Sequence, residues 1–116
     1  MRVGVQGTSS FDNYNVFLRS MAVALSELLE EDKEFYIYSA GPTNINMMAM
    51  EFSNLSEKGM KLRGKSIKFI KVTPQWLEEN ISEVNHFVFL CNPKEPVSKI
   101  VHVSKLNNIN TNVYNF

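Results

Sequence analysis

Three short stretches of the chain hold residues suited to binding a small polar molecule. Gly7-Thr8-Ser9-Ser10 follows an apolar run, and Gly41-Pro42-Thr43-Asn44-Ile45-Asn46 follows an aromatic one. Asn92-Pro93-Lys94-Glu95-Pro96-Val97-Ser98 follows a third, strongly apolar run. The hydroxyls of Thr8, Ser9, Ser10, Thr43 and Ser98 and the amides of Asn44, Asn46 and Asn92 can hydrogen-bond phosphate, ribose and base edges. Lys94 can meet an anion as a point charge. Gly7 lets the backbone turn sharply where a side chain would obstruct it. Such groups bind. Hydrolysis needs in addition a positioned base or nucleophile. The carboxylates near these turns are Asp12 and Glu95, which could pair, although Asp12 serves equally well as a helix cap. His86 and His102 lack metal-ligand spacing and read as structural, and Cys91 reads as a small buried hydrophobe. No catalytic residue is assigned, and neither a metal nor a cofactor is expected.

The chain around these stretches has 116 residues, 44% of them hydrophobic and 21% charged, as expected for one soluble domain spanning residues 1–116. Twelve basic residues balance twelve acidic ones, so no global field draws the chain to nucleic acid or membrane. Half of the basic residues (Lys58, Lys61, Arg63, Lys65, Lys68, Lys71) nevertheless fall in one stretch with no acid among them. That stretch reads as an edge strand and its approach loop, protected from edge-to-edge pairing by lysine. A phosphate-backbone patch is the alternative, set aside because no aromatic RNA-binding motif accompanies the charges. A single cysteine excludes an intramolecular disulfide and fits a reducing cytoplasm. No run approaches the ~18–20 apolar residues of a membrane span, and the start lacks a signal-peptide plan. The frequent asparagines are what an AT-rich coding genome, such as a phage's, would leave.

Periodicity supplies the elements that must hold the three stretches in place. Met1–Gln6 reads as a first strand, and Phe17, Met21, Ala24, Leu25 and Leu28 predict a helix from Asn13 to about Leu29, capped by Asp12 or Asn13. The acidic run Glu27, Glu30, Glu31, Asp32 reads as a solvated helix end. Glu34–Ser39 is a second strand, followed by a helix over Thr43–Glu57 with Ile45, Met48, Ala49, Phe52 and Leu55 inward and its methionines as core filler. Lys58–Lys65 reads as a connector, Ser66–Thr73 as a third strand, and Gln75–Glu79 as a short helix carrying Trp76 as an apolar lid. His86–Leu90 is a fourth strand whose uninterrupted apolar run predicts burial on both faces. A helix over Val97–Leu106, with Ile100, Val101 and Ser104 inward, and a strand over Thr111–Tyr114 complete the chain. Alternating helices and strands predict an α/β sandwich of three layers, with five mainly parallel strands in an order near 3-2-1-4-5. The carboxyl ends of strands one, two and four then surround one crevice.

With the turns located together, the chain resembles the SLOG superfamily of Rossmann-like nucleotide-binding domains, and within it the small single-domain YspA-like proteins. Gly7-Thr8-Ser9-Ser10-Phe11 resembles that family's first turn, G-S-R-D-[FW], with Ser9 and Ser10 in place of Arg and Asp. Ser39-Ala40-Gly41-Pro42-Thr43-Asn44-Ile45-Asn46 resembles its second signature, [SH]-G-G-A-R-G-A-D, with Thr43 for Arg and Asn46 for Asp. Lys71-Val72-Thr73-Pro74-Gln75-Trp76 resembles the family's strand ending in P-A-D-W. The Gly-rich fourth turn is replaced by Asn92–Ser98, and the family's acidic residues are missing.

The resemblance implies a nucleotide or nucleotide-derived small molecule as ligand, bound by Gly7, Thr8, Ser9, Ser10, Gly41, Thr43, Asn44, Asn46, Asn92, Lys94 and Ser98. It also implies a homodimer formed through helices. The expected role is that of a cytoplasmic sensor or sequestering protein without turnover. Alternatives are a nucleotide hydrolase cleaving an N-glycosidic bond and an interaction module using the Lys58–Lys71 face.

Overall fold

The computed structural model describes residues 1–115. Strands β1 (Arg2–Gly7), β2 (Glu34–Ser39), β3 (Ser66–Lys71), β4 (His86–Cys91) and β5 (Asn110–Asn115) form one sheet in the order β3-β2-β1-β4-β5. Every neighbouring pair is parallel. Helices α1 (Tyr14–Leu25) and α2 (Thr43–Leu62) lie on one face, while α3 (Pro74–Glu79), a 3-10 turn (Ile81–Glu83) and α4 (Lys99–Leu106) lie on the other. This is a Rossmann-like three-layer sandwich with β1 at its centre and β3 at an edge, as the sequence predicts.

Two apolar clusters hold the layers. Val3, Val5, Phe35, Ile37, Val88 and Leu90 meet Phe17, Met21, Ala24, Ile45, Ala49 and Phe52 beneath α1 and α2. On the other face Phe87, Phe89 and Cys91 meet Leu77, Ile81, Ile100 and Val101. β4 is buried along its whole length, because helices cover both of its faces. Each fully buried large apolar side chain contributes about 1.5–3 kcal/mol relative to exposure. Among the described residues, no helix is long and apolar enough to cross a membrane.

Helix ends account for most departures from the sequence reading. α2 does not stop at Glu57 but runs through Lys58 and Gly59 to Leu62, because buried Met60 anchors an additional turn. Gly64, at φ +72°, ends it. Gly64 N–H donates to Lys61 O at 3.0 Å and Lys65 N–H to Met60 O at 2.9 Å, the paired bonds of a Schellman motif. α4 ends in the same way, with Asn108 at φ 58° and bonds from Asn108 N–H to Lys105 O and Ile109 N–H to Ser104 O. Asn13, not Asp12, caps α1 by accepting from Val16 N–H at 3.1 Å. α1 stops at Leu25, where short turn bonds from Glu27 to Ala24 and Leu28 to Leu25 replace the helical ladder. Leu55, expected inward, is 69% exposed, because the buried stripe passes instead through Ser53 and Met60. Met47 and Met50 likewise face solvent, so only some of the α2 methionines fill the core.

Lys65 corrects the reading of the basic stretch. It is buried, and its ammonium donates to Leu29 O at 3.1 Å, Glu30 O at 3.0 Å and the carbonyl of Asp32. Asp32 in turn accepts from Leu29 N–H at 2.9 Å. The acidic segment after α1 is thus a structured turn tied to the base of β3, and Lys65 is a strut rather than a surface charge. Hydrogen bonds from a charged donor are worth about 1.5–3 kcal/mol. Lys65→Ala is therefore expected to lower unfolding stability in urea by about 2 kcal/mol. Lys61→Ala, at an exposed position, should change it by less than about 0.5 kcal/mol.

Candidate functional site at the carboxyl edge of the sheet

The strand order reverses between β1 and β4, so the loops that follow them leave toward opposite faces of the sheet, at the position where open parallel sheets form a ligand crevice. Hydrogen bonds stitch those two loops together. Thr8 N–H donates to Leu90 O at 3.0 Å, and Asn92 N–H donates to Thr8 Oγ1 at 3.1 Å. Asn92 Nδ2 donates to Ser10 Oγ at 2.9 Å, and Ser10 Oγ donates to Glu95 Oε2 at 2.6 Å. Asn92 Oδ1 accepts from Lys94 N–H at 3.0 Å, which shapes the turn carrying Lys94.

The loop after β2 joins the same edge. Gly7 N–H donates to Gly41 O at 3.3 Å, and Gly41 takes φ +88°, a conformation glycine adopts without strain. Ser39 Oγ donates to Asn46 Oδ1 at 2.6 Å, tying the end of β2 to the first turn of α2. The helix starts differ in their capping. Asn13, Thr73 and Ser98 cap α1, α3 and α4 with side-chain oxygens, whereas Pro42 at the start of α2 supplies none. The first N–H groups of α2, beside exposed Thr43 and Asn44, therefore point outward without a side-chain cap.

The predicted residues thus divide in two. Thr8, Ser10, Asn46, Asn92 and Ser98 are held by bonds within the protein. Ser9, Thr43, Asn44 and Lys94 are exposed, and their side chains make no hydrogen bond among the described residues.

Gly7 also acquires a packing reason. It is the last residue of β1, and positive φ occurs at Gly41 and Gly64 but not at Gly7. A Cβ there would lie 2.4 Å from Ile45 Cδ1 and 2.5 Å from Leu90 O. The glycine lets α2 and β4 close on β1, which the turn reading did not foresee.

Asp12 and Glu95, which could have paired, are engaged separately. Glu95 is engaged by Ser10, while Asp12 shares a cavity of about 250 Å³ with Tyr14, Asn44, Met47, Met48 and Glu51. The sequence reading missed Glu51 and Tyr14. Glu51 was findable, since it lies seven residues after Asn44 and so on the same side of the helix. The Tyr14 hydroxyl oxygen is buried and has no partner among the described residues, and Tyr14 stacks on Phe17 at 6.1 Å. Burial first, and the nearby Glu51 second, raise its pKa above the usual tyrosine value.

The remaining candidates lie elsewhere. Cys91 is 2% exposed, and its thiol donates to Asn92 O at 3.3 Å. His102 is exposed on α4. His86 sits at the opposite, amino-terminal edge, wholly buried, with Nδ1 3.1 Å from Glu27 Oε2 and Nε2 3.0 Å from Asn112 Nδ2. Asn110 Nδ2 donates to both oxygens of Glu27, at 2.9 and 3.1 Å. Glu27, exposed as a solvated helix end should be, thus also links the end of α1 to β4 and β5. A hollow of about 380 Å³ lined by Met1, Arg2, Asp32, Tyr36 and Asn85, among others, also opens at that far edge and contains none of the predicted residues. Among the described residues, no group of three or more His, Cys, Asp or Glu is arranged to hold a metal ion.

Two outcomes follow from this geometry. Gly7→Ala should lower stability by about 1–3 kcal/mol in urea unfolding, the usual cost of overpacking, because the Leu90 carbonyl is backbone and cannot swing aside. A raised tyrosine pKa means that the fold holds the phenolic proton more tightly than the unfolded chain does. The stability linked to Tyr14 is then complete below the ordinary value near ~10 and is lost as pH rises through the raised value. Denaturant unfolding between pH ~9 and ~11 should show falling stability, with a shallower fall in Tyr14→Phe. Tyr36 and Tyr114, also raised, supply the slope that remains.

Compared with protein-family models, with curated proteins and with solved structures, the chain finds no match.

Proposed function

We propose that the chain binds a nucleotide or nucleotide-derived small molecule at the carboxyl edge of its sheet, as a sensor or sequestering protein and without turnover. The observation that carries this reading is the reversal of strand order between β1 and β4, with the β1, β2 and β4 loops meeting beside it. Open parallel sheets bind their ligands at such switch points. The uncapped start of α2 offers N–H groups and a positive dipole end to a phosphate. Thr43 and Asn44 at that start, and Ser9 and Lys94 on the loops after β1 and β4, remain unspent, while the internally bonded Thr8, Ser10 and Asn92 brace those loops. The similarity of Gly7–Phe11 and Ser39–Asn46 to SLOG motifs supports the same ligand class.

Binding is favoured over catalysis by where the reactive groups fall. Glu95 is occupied by Ser10, Cys91 is buried against carbonyls, and His86 is paired with Glu27 at the far edge. The hydroxyl–carboxylate pair at this edge, Ser10 and Glu95, is tied through Asn92 into the bracing of the β1 and β4 loops.

Thr43→Glu tests the site by separating binding from stability. A carboxylate at the start of α2 complements the helix dipole, so thermal stability should hold or rise by about 0.3–1 kcal/mol. The same charge repels a phosphate. Calorimetry against mono-, di- and cyclic nucleotides should show binding by the parent and at least a tenfold loss in the variant, about 1.4 kcal/mol. A parent that binds none of them, or a variant that binds as the parent does, overturns the reading.

A further inference from the structure

The two helical layers cover the sheet unequally. α1 and α2 have 12 and 20 residues, whereas α3 and α4 have 6 and 8. On the thinner side Leu77 seats over β1 and β4, against Gly4 and Phe87, and Ile100 and Val101 of α4 join the same cluster. Over β2 the layer contributes Trp76, which stacks on Tyr38 with ring centroids 5.3 Å apart and 23° between planes.

Parallel register decides what the rest of that face presents. Side chains alternate between the faces of a strand, so Arg2, Tyr36 and Lys68 form one row across β1, β2 and β3. Gly4, Tyr38 and Ile70 form the next row. Tyr36 and Tyr38 lie 6.3 Å apart at 32°, which continues the aromatic series to Trp76. All three aromatics are partly exposed, and Arg2 and Lys68 are exposed. No acidic residue occurs between Glu57 and Glu78, and Glu34, at the amino end of the same face, accepts a hydrogen bond from the Tyr36 hydroxyl.

We propose that this face binds single-stranded nucleic acid, with bases stacking on Tyr36 and Trp76 and phosphates meeting Arg2 and Lys68. The Tyr36 ring between Arg2 and Lys68 suits that ligand, because every base has a face to stack and every linkage a negative charge. The carboxylates Glu31, Asp32, Glu34 and Glu83 gather in the hollow at the amino end of the face. A duplex hides its base faces, so single strands are the preferred form. A protein partner would need aliphatic contact, and across the two rows only Ile70 provides it. The sequence alone sets nucleic acid aside because no aromatic motif accompanies the basic stretch. The register brings in the aromatics from another strand and from α3. The proposal is independent of ligand binding at the crevice.

Trp76 is the only tryptophan in the chain, so its fluorescence reports directly on the face. The test uses the full chain with labelled RNA and DNA single strands of roughly a dozen nucleotides, and a duplex of equal length. Anisotropy and Trp76 quenching should saturate together with at least one single strand, and a preference between them would identify the sugar. Affinity should fall steeply between about 50 and 200 mM salt. Tyr36→Ala should weaken binding by about tenfold or more, while Tyr36→Phe, which keeps the ring and loses only the bond to Glu34, should bind as the parent does. Lys68→Glu, at an exposed position, should weaken binding and flatten its salt dependence, and it carries the test should Tyr36→Ala fail to fold. The proposal is overturned if neither strand changes Trp76 fluorescence at low salt. It is equally overturned if the duplex binds as well as the single strands, or if folded Tyr36→Ala or Lys68→Glu keeps parental affinity.

Discussion

At Gly7 the central strand runs against both the start of α2 and the carbonyl of Leu90, with no room for even a methyl group. At Gly4, on the opposite face, Leu77 of α3 would lie 3.0 Å from an added Cβ. β1 is hydrogen-bonded to β2 on one side and β4 on the other, so it cannot shift sideways to make space. The helices must come to it, and two absent side chains let them do so. Val3 and Val5 then fill the α1/α2 side, and the rest of the sandwich is arranged around this strand. Gly7 serves the core as much as the turn.

Polar side chains finish what the apolar core begins, and they do so at both ends of the sheet. At the carboxyl edge Thr8, Ser10, Asn92 and Glu95 join two loops whose sequences are more than 80 residues apart. At the amino edge Lys65 gathers three carbonyls of the turn after α1, and Glu27 joins His86 to the polar strand β5. Buried polar groups are tolerable only when partnered, and the buried members Thr8, Lys65 and His86 are. The polar residues thus divide: Thr8, Ser10 and Asn92 are spent on bracing the two loops, while Ser9, Thr43, Asn44 and Lys94 stay exposed.

The inequality of the helical layers gives the molecule a second character. Where α1 and α2 pack, the sheet is sealed by aliphatic and aromatic side chains. Over β2 and β3 the thinner layer leaves tyrosines and cations on a pleated surface. A short α3 is the cause, since Thr73 and Pro74 start it at once after β3 and Asn80 ends it six residues later. The thinner layer therefore leaves the β2 and β3 side of the sheet more open than the side under α1 and α2.

Much of the fold is legible in the sequence, and the reason is periodicity. The stripe Phe17, Met21, Ala24, the stripe Ile45, Met48, Ala49, Phe52 and the unbroken run Phe87–Leu90 each state a local geometry and a degree of burial. Parallel connectivity then leaves few strand orders, and the observed one is among them. The three turns of the crevice follow from that order alone. What the sequence could not decide is how side chains far apart in the chain share out their bonds. Lys65 looks like one more lysine in a basic run, and only the tertiary fold brings three carbonyls around it. Glu27 and His86, or Tyr36 and Lys68, become neighbours through packing and strand register, which depend on the whole sandwich at once. Local pattern determined the elements and their burial; the division of the polar residues into braces and free groups was decided only when the layers closed.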